Sequence, residues 1–316
     1  MTTDTVVVLG PRSDEQRARI ESAAGRYPVR FATSLEPADP GLADVVAVGG
    51  SVRGDVLAAA PRLRWVHSWA AGPDADLSPE MRAAGHVVLT SSAGNGAIPL
   101  AEQAMLLMMM LDRDVPRWMR AQADHRWDRF THGELAGATL GIVGVGNAGT
   151  DLARKARAFH MRVLGCRRNP GRPVDGVERM YGLAQLHEFL GECDVVVVTA
   201  PATPETRGVF DEEAFRAMRP TATWICISRG GIADDDALLR ALREGWIAGA
   251  GIDAHGVEPL PAGSPFWTAP NTVVTPHNGA TTAGTARRGL EIFLDNLTRF
   301  AAGDELVNVV DKAAGY

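Results

Sequence analysis

Residues 140–149 read Leu140-Gly141-Ile142-Val143-Gly144-Val145-Gly146-Asn147-Ala148-Gly149, and this stretch decides the fold. An apolar run ends at Val143. Three glycines follow in the spacing Gly-x-Gly-x-x-Gly, and a helical pattern from Asp151 to Phe159 comes next. Gly144 permits a tight turn, Gly146 lets the backbone approach a pyrophosphate, and Gly149 lets helix and strand pack closely. A helix beginning near Asn147 and Ala148 turns its free N–H groups toward phosphates. In this strand-to-helix context the stretch reads as the phosphate-binding turn of a dinucleotide-binding domain.

Outward from that turn, apolar strands and helical patterns alternate. Strands are expected at Thr139–Val143, Arg162–Cys166, Asp194–Thr199, Thr223–Ser228, Ala248–Asp253 and Thr272–Thr275, with helices at Leu183–Leu190, Glu212–Met218 and Asp234–Glu244 between them. Several of these strands are apolar throughout, as parallel strands covered on both faces are. The first hundred residues repeat the alternation, with strands at Thr5–Leu9, Val29–Ala32, Val45–Val48, Leu63–Ser68 and His86–Thr90. Helical patterns lie among them, Asp14–Ala24 and Pro79–Ala84 for example. Such alternation implies parallel sheets covered by helices. The expectation is therefore an α/β chain of two doubly wound parallel-sheet domains with a cleft between them. A flavodoxin-like domain takes residues 1–98 and 282–316, and a Rossmann domain takes 99–281. A last helix, about Thr281–Ala302, carries the chain back to the first domain.

The chain has 316 residues, 46% of them hydrophobic and 22% charged, with a formal net charge of −6. These values suit a globular protein with sizeable cores. The negative charge argues against a nucleic-acid partner, which requires a basic face. No apolar run approaches membrane-spanning length, and the start runs directly into Val6-Val7-Val8-Leu9 without the pattern of a secretory signal. Cys166, Cys193 and Cys226 follow no metal-ligand or disulfide spacing. They read as buried thiols in a reducing cytoplasm, and no metal site is expected. In the helical stretch Leu100 to Asp112, Leu106-Leu107-Met108-Met109-Met110-Leu111 is apolar on every side. A helix without a polar face is buried all round, either inside the monomer or at a subunit interface.

The second strand of the dinucleotide-binding half ends Cys166-Arg167-Arg168-Asn169-Pro170. An acidic residue about 20 positions past the glycines would hold the ribose hydroxyls of NAD. Arg167 stands there instead, followed by Arg168. A guanidinium pairs with a 2′-phosphate through charge-assisted hydrogen bonds. The expected cofactor is NADP(H), with NAD(H) as the alternative.

Three later strands end in polar segments: Ile227-Ser228-Arg229-Gly230-Gly231, Asp253-Ala254-His255-Gly256-Val257-Glu258-Pro259-Leu260, and Thr275-Pro276-His277-Asn278-Gly279-Ala280. Ligands of open α/β sheets bind at the carboxyl ends of strands. With these segments, the glycine turn and Pro201-Ala202-Thr203-Pro204-Glu205-Thr206, the chain resembles the D-isomer-specific 2-hydroxyacid dehydrogenase family over nearly its whole length. Arg229 and Glu258 are 29 positions apart, and Glu258 and His277 are 19 apart. The Arg167-Arg168 pair looks like the NADP-dependent glyoxylate and hydroxypyruvate reductases of that family.

The resemblance implies a chemistry that suits these residue types. Reduction of a 2-oxo acid needs a proton donor, and His277 would be that general acid. Glu258 would orient its ring and favour the imidazolium. Arg229 would bind the keto oxygen and one carboxylate oxygen. His255 is nearer Glu258 in sequence but ranks below His277, which alone lies in the matching motif. Pro201 and Thr206 would line the adenosine and phosphate side of the cofactor, and Asp253 would hydrogen-bond the nicotinamide amide. Ser68-Trp69-Ala70-Ala71-Gly72 resembles the substrate loop, with the N–H groups of Ala71 and Gly72 forming an anion nest. Trp69 either shapes the pocket or serves packing. Asn278 departs from the apolar residue usual after the histidine. The chain ends near Tyr316 without the added domain of feedback-regulated phosphoglycerate dehydrogenases. The expected protein is a homodimeric cytoplasmic reductase of a small 2-oxo acid. A phosphite-type dehydrogenase and a dinucleotide-sensing corepressor-like protein are the alternatives.

Overall fold

Strands with side chains buried on both faces need helices above and below, and the computed structural model supplies them in two units. The structure describes residues 4–315. One unit comprises the chain up to Asn95 together with the chain from Thr282 onward; the other is Gly96–Thr281.

The first unit runs β1 (Thr5–Leu9), α1 (Asp14–Ala24), β2 (Val29–Ala32), β3 (Val45–Gly49), α2 (Gly54–Ala59), β4 (Trp65–Ser68), α3 (Pro79–Ala83) and β5 (Val88–Ser91). Its sheet is parallel, in the order β2-β1-β3-β4-β5, which is the flavodoxin-like arrangement. The strand period of two sends side chains to opposite faces. Val6 and Val8 pack with Trp65, Phe293 and Leu297 on one face. Val7 and Val48 pack with Val56, Leu63 and Met81 on the other.

The second unit runs α4 (Ala97–Asp112), α5 (Val115–Ala123), β6 (Thr139–Val143), α6 (Asn147–Ala158), β7 (Arg162–Cys166), β8 (Arg179–Tyr181), α7 (Leu186–Gly191), β9 (Val195–Val198), α8 (Glu212–Ala217), β10 (Thr223–Cys226), α9 (Asp235–Glu244), β11 (Gly249–Ile252) and β12 (Thr272–Val274). The seven strands are parallel in the order β12-β11-β10-β9-β6-β7-β8. Strand order reverses between β6 and β9, so the switch point of a Rossmann sheet falls at the glycine turn. The chain then returns to the first unit through α10 (Ala283–Ala302), capped by Thr282, whose side chain accepts from the Thr285 N–H. Among the described residues no helix is long and apolar enough to cross a membrane.

The alternating pattern marks nearly every strand within a residue or two. It misses β8, a three-residue edge strand of Arg179, Met180 and Tyr181 that carries no apolar run. It also misses the short α2 and the polar α5. The helix expected at Leu183–Leu190 opens as a 3-10 turn, Leu183–Gln185, before α7. The Met-rich helix α4 is not buried all round. Ala101, Ala104, Met105, Leu107 and Met108 enter the core, whereas Leu106 is 46% exposed.

A buried polar chain crosses the first sheet near its carboxyl end. Trp65 Nε1 donates to Thr90 Oγ1 at 2.9 Å, and that hydroxyl lies 2.8 Å from His67 Nδ1. His67 Nε2 lies 3.1 Å from Ser92 Oγ, which donates to the Ser68 carbonyl. With the indole N–H spent on Thr90, the threonine proton points to Nδ1 and the ring proton sits on Nε2. Among the described residues no charged group answers the ring, which is wholly buried, and burial pushes its pKa down from 6.5 to about 4. The unfolded chain gains a proton below about 6.5, and the folded ring does so only near 4. His67 therefore contributes stability that is complete above pH 6.5 and is lost as pH falls through 4, about 3 kcal/mol in all. Urea midpoints measured from pH 7 to pH 4 are expected to fall more steeply for the wild type than for His67→Gln. Parallel curves would show that His67 does not couple to folding.

Candidate active site

All the polar segments singled out in the second half follow strands of one parallel sheet, and strand order sets them side by side. β10, β11 and β12 are neighbours, so the turns after Cys226, Ile252 and Val274 emerge together. The turn after β6 emerges beside the turn after β9.

The glycine turn is shaped by close approach. Gly144 has φ +94°, and a Cβ there would lie 2.4 Å from the Ala200 backbone, so only glycine fits. Thr199 Oγ1 donates to the Gly144 carbonyl and fastens β9 to the turn. At Gly146 a Cβ would meet nothing within 4 Å. The helix α6 begins here with Gly146 as its N-cap and no side chain capping it. The N–H groups of Asn147, Ala148 and Gly149 make up its first turn, and no side chain caps them; Asn147 is exposed and Gly149 is buried. An anion bound at that end would accept from them and meet the positive end of the helix dipole.

Past β7, Arg167 is half-buried. Its Nη2 donates to the Arg172 carbonyl, while its Nε is buried without a hydrogen-bond partner. Arg168 is exposed and close enough to Glu205 to hold that carboxyl down, after the larger effect of the Thr203 hydroxyl. Thr206 is spent on its own loop: its Oγ1 donates to the Pro201 carbonyl at 2.7 Å and accepts from the Thr203 N–H at 2.7 Å. Thr206 therefore fixes the shape of the loop that starts at Pro201.

Glu258 and His277 meet. Both carboxylate oxygens lie 2.8 Å from His277 Nδ1. A carboxylate only accepts, so Nδ1 carries a proton and Nε2 is the nitrogen left for chemistry. Burial pushes the Glu258 carboxyl up, but the backbone N–H of His255 and the His277 ring outweigh it, and it titrates below its ordinary value. Arg229, after β10, donates from Nη1 to the Ser228 carbonyl at 2.8 Å. His277 itself has φ +50°, a left-handed conformation that costs a non-glycine residue about 1–2 kcal/mol.

Asp253 holds that conformation. It is wholly buried and accepts from Thr275 Oγ1 at 2.6 Å, from Asn278 N at 3.2 Å and from Gly279 N at 3.0 Å. One carboxylate thus grips the chain on both sides of His277, and Asn278 contributes to the grip through its backbone. Gln103, on α4, adds a bond from Nε2 to Thr275 Oγ1 at 3.1 Å. Motif and pattern do not single out Gln103 or Thr275 for this role. The signals they do carry are a polar residue on the mostly apolar helix α4, and a hydroxyl two residues before the histidine.

In the first unit, Trp69 is used for packing. Its ring lies 4.8 Å from that of Phe293, its Nε1 donates to the Gly49 carbonyl, and the Arg12 guanidinium sits over it at 4.2 Å. Ala70 N donates to Ser68 Oγ at 3.2 Å and the Ala70 carbonyl accepts from Ser92 N. The polar chain around His67 thus fixes Ala70, the residue before Ala71-Gly72.

The chain is similar to known proteins. Residues 105–279 match the family described as D-isomer specific 2-hydroxyacid dehydrogenase, NAD binding domain. The chain is 35% identical over 267 residues to a glyoxylate reductase of Korarchaeum cryptofilum, covering 82% of this chain and 79% of that one. It superposes with a TM-score of 0.86, at 30% identity, on a D-isomer specific 2-hydroxyacid dehydrogenase from Xanthobacter autotrophicus solved with NADPH and MES. That alignment covers 99% of this chain and 100% of the other. An NADPH-dependent glyoxylate/hydroxypyruvate reductase from Sinorhizobium meliloti, solved with NADP and sulfate, gives a TM-score of 0.82 at 30% identity and the same coverage. The chain belongs to the D-isomer-specific 2-hydroxyacid dehydrogenase family.

The two glycines should separate in a stability measurement. Gly144→Ala is expected to destabilise by more than about 1 kcal/mol, because its φ and the Ala200 backbone both oppose a side chain. Gly146→Ala is expected to leave the melting temperature near that of the wild type. Equal melting temperatures for the two variants would contradict the geometry of the turn.

Proposed function

We propose that this protein reduces a small 2-oxo acid, of the glyoxylate or hydroxypyruvate type, to the D-2-hydroxy acid with NADP(H). The observation that carries the reading is the 2.8 Å contact between Glu258 and His277 Nδ1. It leaves Nε2 as the proton donor at the same sheet end as Arg229 and the glycine turn. The reductase relatives named above do not favour a phosphite-type dehydrogenase or a corepressor-like sensor.

The dinucleotide's pyrophosphate would be held by the N–H groups of Asn147, Ala148 and Gly149, against Gly144 and Gly146. The unpartnered Arg167 Nε, with Arg168, supports recognition of a 2′-phosphate and hence NADP(H) over NAD(H). Asp253 uses three of about four acceptor directions on its protein partners, which leaves one for the nicotinamide amide. Held by these residues, the dinucleotide would supply the hydride for C2 of the substrate. Arg229 polarises the C2 carbonyl and stabilises the negative charge that develops on its oxygen. His277, protonated on both nitrogens, gives its Nε2 proton to that oxygen while Glu258 keeps the ring in place. In the oxidative direction the same nitrogen takes the proton back. Trp69, Ala71 and Gly72 are assigned to the substrate's carboxylate, the backbone N–H groups as donors and Trp69 as the packed base of the loop.

Steady-state kinetics on a panel of 2-oxo acids test this directly. Glyoxylate or hydroxypyruvate should turn over with a higher kcat/KM for NADPH than for NADH. His277→Ala should lower kcat by about 10²–10⁴-fold with NADPH binding retained. No turnover across the panel, or near-normal kcat in H277A, would refute the assignment.

The protein is also proposed to work as a cytoplasmic homodimer. Its three cysteines are free and buried, and burial pushes Cys166 and Cys193 up to about 12, as suits inert thiols in a reducing compartment. The apolar outer residues of the α4–α5 region support the dimer: Ile98, Leu106, Trp118 and Met119 are all exposed, and Trp127 is 94% exposed. Light scattering at micromolar concentration should give twice the chain mass, and Trp127→Glu with Met119→Glu should reduce it. A monomer mass for the wild type would remove the proposal.

A further inference from the structure

His255 is not the proton donor, yet it occupies the junction of the three turns that form the site. It is 7% exposed. Its backbone N–H donates to Glu258 Oε1 at 2.8 Å, and its ring Nε2 lies 2.9 Å from the Thr275 carbonyl. A carbonyl only accepts, so Nε2 carries a proton and donates. The ring therefore ties the turn after β12 to the turn after β11, two residues ahead of His277.

The other ring nitrogen has a cost. His255 Nδ1 is buried with no hydrogen-bond partner, and so is Trp224 Nε1. Both residues line one small cavity with Arg229 and Asp235. A buried polar atom left without a partner carries an uncompensated desolvation cost. An apolar ring of equal size would fill the position without that cost. When a local rule is broken at a site, a compensating gain elsewhere is the expected reason, and here the bond from Nε2 is that gain.

The strain at His277 explains what that bond does. A residue with φ +50° stays there only when its surroundings over-determine it. Asp253 grips Thr275 by its hydroxyl and Asn278 and Gly279 by their backbone N–H groups. The Thr275 carbonyl is fixed separately, by His255.

We propose that His255 is a positioning residue: through its bonds to the Thr275 carbonyl and to Glu258 it holds the strained His277 in register with its carboxylate partner. It does not touch the reacting atoms. The proposal rests on the functional reading above, in that the register matters for proton transfer.

The test compares His255→Phe, which keeps a flat aromatic ring and loses the donor, with His255→Gln, whose amide N–H reaches the same carbonyl. In the full-length protein with glyoxylate and NADPH, H255F is expected to lower kcat by about 10–100-fold, the size of effect a 1 Å misplacement produces. The NADPH dissociation constant should not change, and H255Q should recover most of kcat. A separate readout is the Nδ1-bound proton of His277 in imidazole NMR spectra. It should persist in wild type and H255Q and shift or vanish in H255F, whether or not the substrate tested is turned over. Absence of turnover in the wild type with the NMR pattern intact would count against the function alone. Wild-type kcat in H255F, equal losses in the two variants, or an unchanged His277 signal would overturn the positioning role. If H255F does not fold, His255→Asn, too short to reach the carbonyl, replaces it with the same expectations.

Discussion

The bond from His277 to Glu258 is the contact on which the proposed chemistry depends, and the backbone does not favour it. His277 sits in the left-handed region, where an L-residue is disfavoured. Its ring reaches the carboxylate because the residues around it leave no other choice. Asp253 stands at the end of β11, the strand next to β12, and its buried charge is satisfied by donors from the histidine's own turn. A buried carboxylate that lost those donors would be strongly penalised. The same bonds that satisfy the Asp253 oxygens therefore hold the turn around His277, so folding of the second unit and the shape of the site are one problem.

The parallel sheet makes this economical. Its strands bury both faces, so their backbones are rigid, and their carboxyl ends point one way. Turns after neighbouring strands then meet without any need for closeness in sequence. Arg229, Glu258 and His277 are spread over nearly fifty positions, yet they follow β10, β11 and β12, which lie in adjacent order. The order reverses between β6 and β9, which opens the space beside Gly146 that the proposed pyrophosphate would use. Arg167, whose buried Nε has no hydrogen-bond partner among the described residues, follows β7 at the same end of the sheet.

Much of this is legible in the order of residues. Hydrophobic alternation places the strands because burial on both faces demands apolar runs, and the glycine spacing locates the turn because only glycine tolerates the backbone at Gly144. The motif order indicates Arg229, Glu258 and His277. Edge strand β8 is not legible, because an edge needs little apolar surface. Nor is the half-exposed state of α4, because composition cannot tell a second core from an outward apolar face. The motif around Asp253 points to a cofactor contact, whereas its grip on residues 275–279 depends on a neighbouring strand that local sequence does not name.

The chain's own order of residues thus determined the fold class, the phosphate-binding turn and the residue types for a reductase, since each follows from local periodicity or from a backbone requirement. Only the tertiary structure decided that Nδ1 of His277 is the nitrogen facing Glu258, that Asp253 grips the chain on both sides of that histidine, and that His255 binds Thr275. Those facts depend on distances between segments some twenty positions apart, and hydrogen bonds are made or lost over a fraction of an ångström.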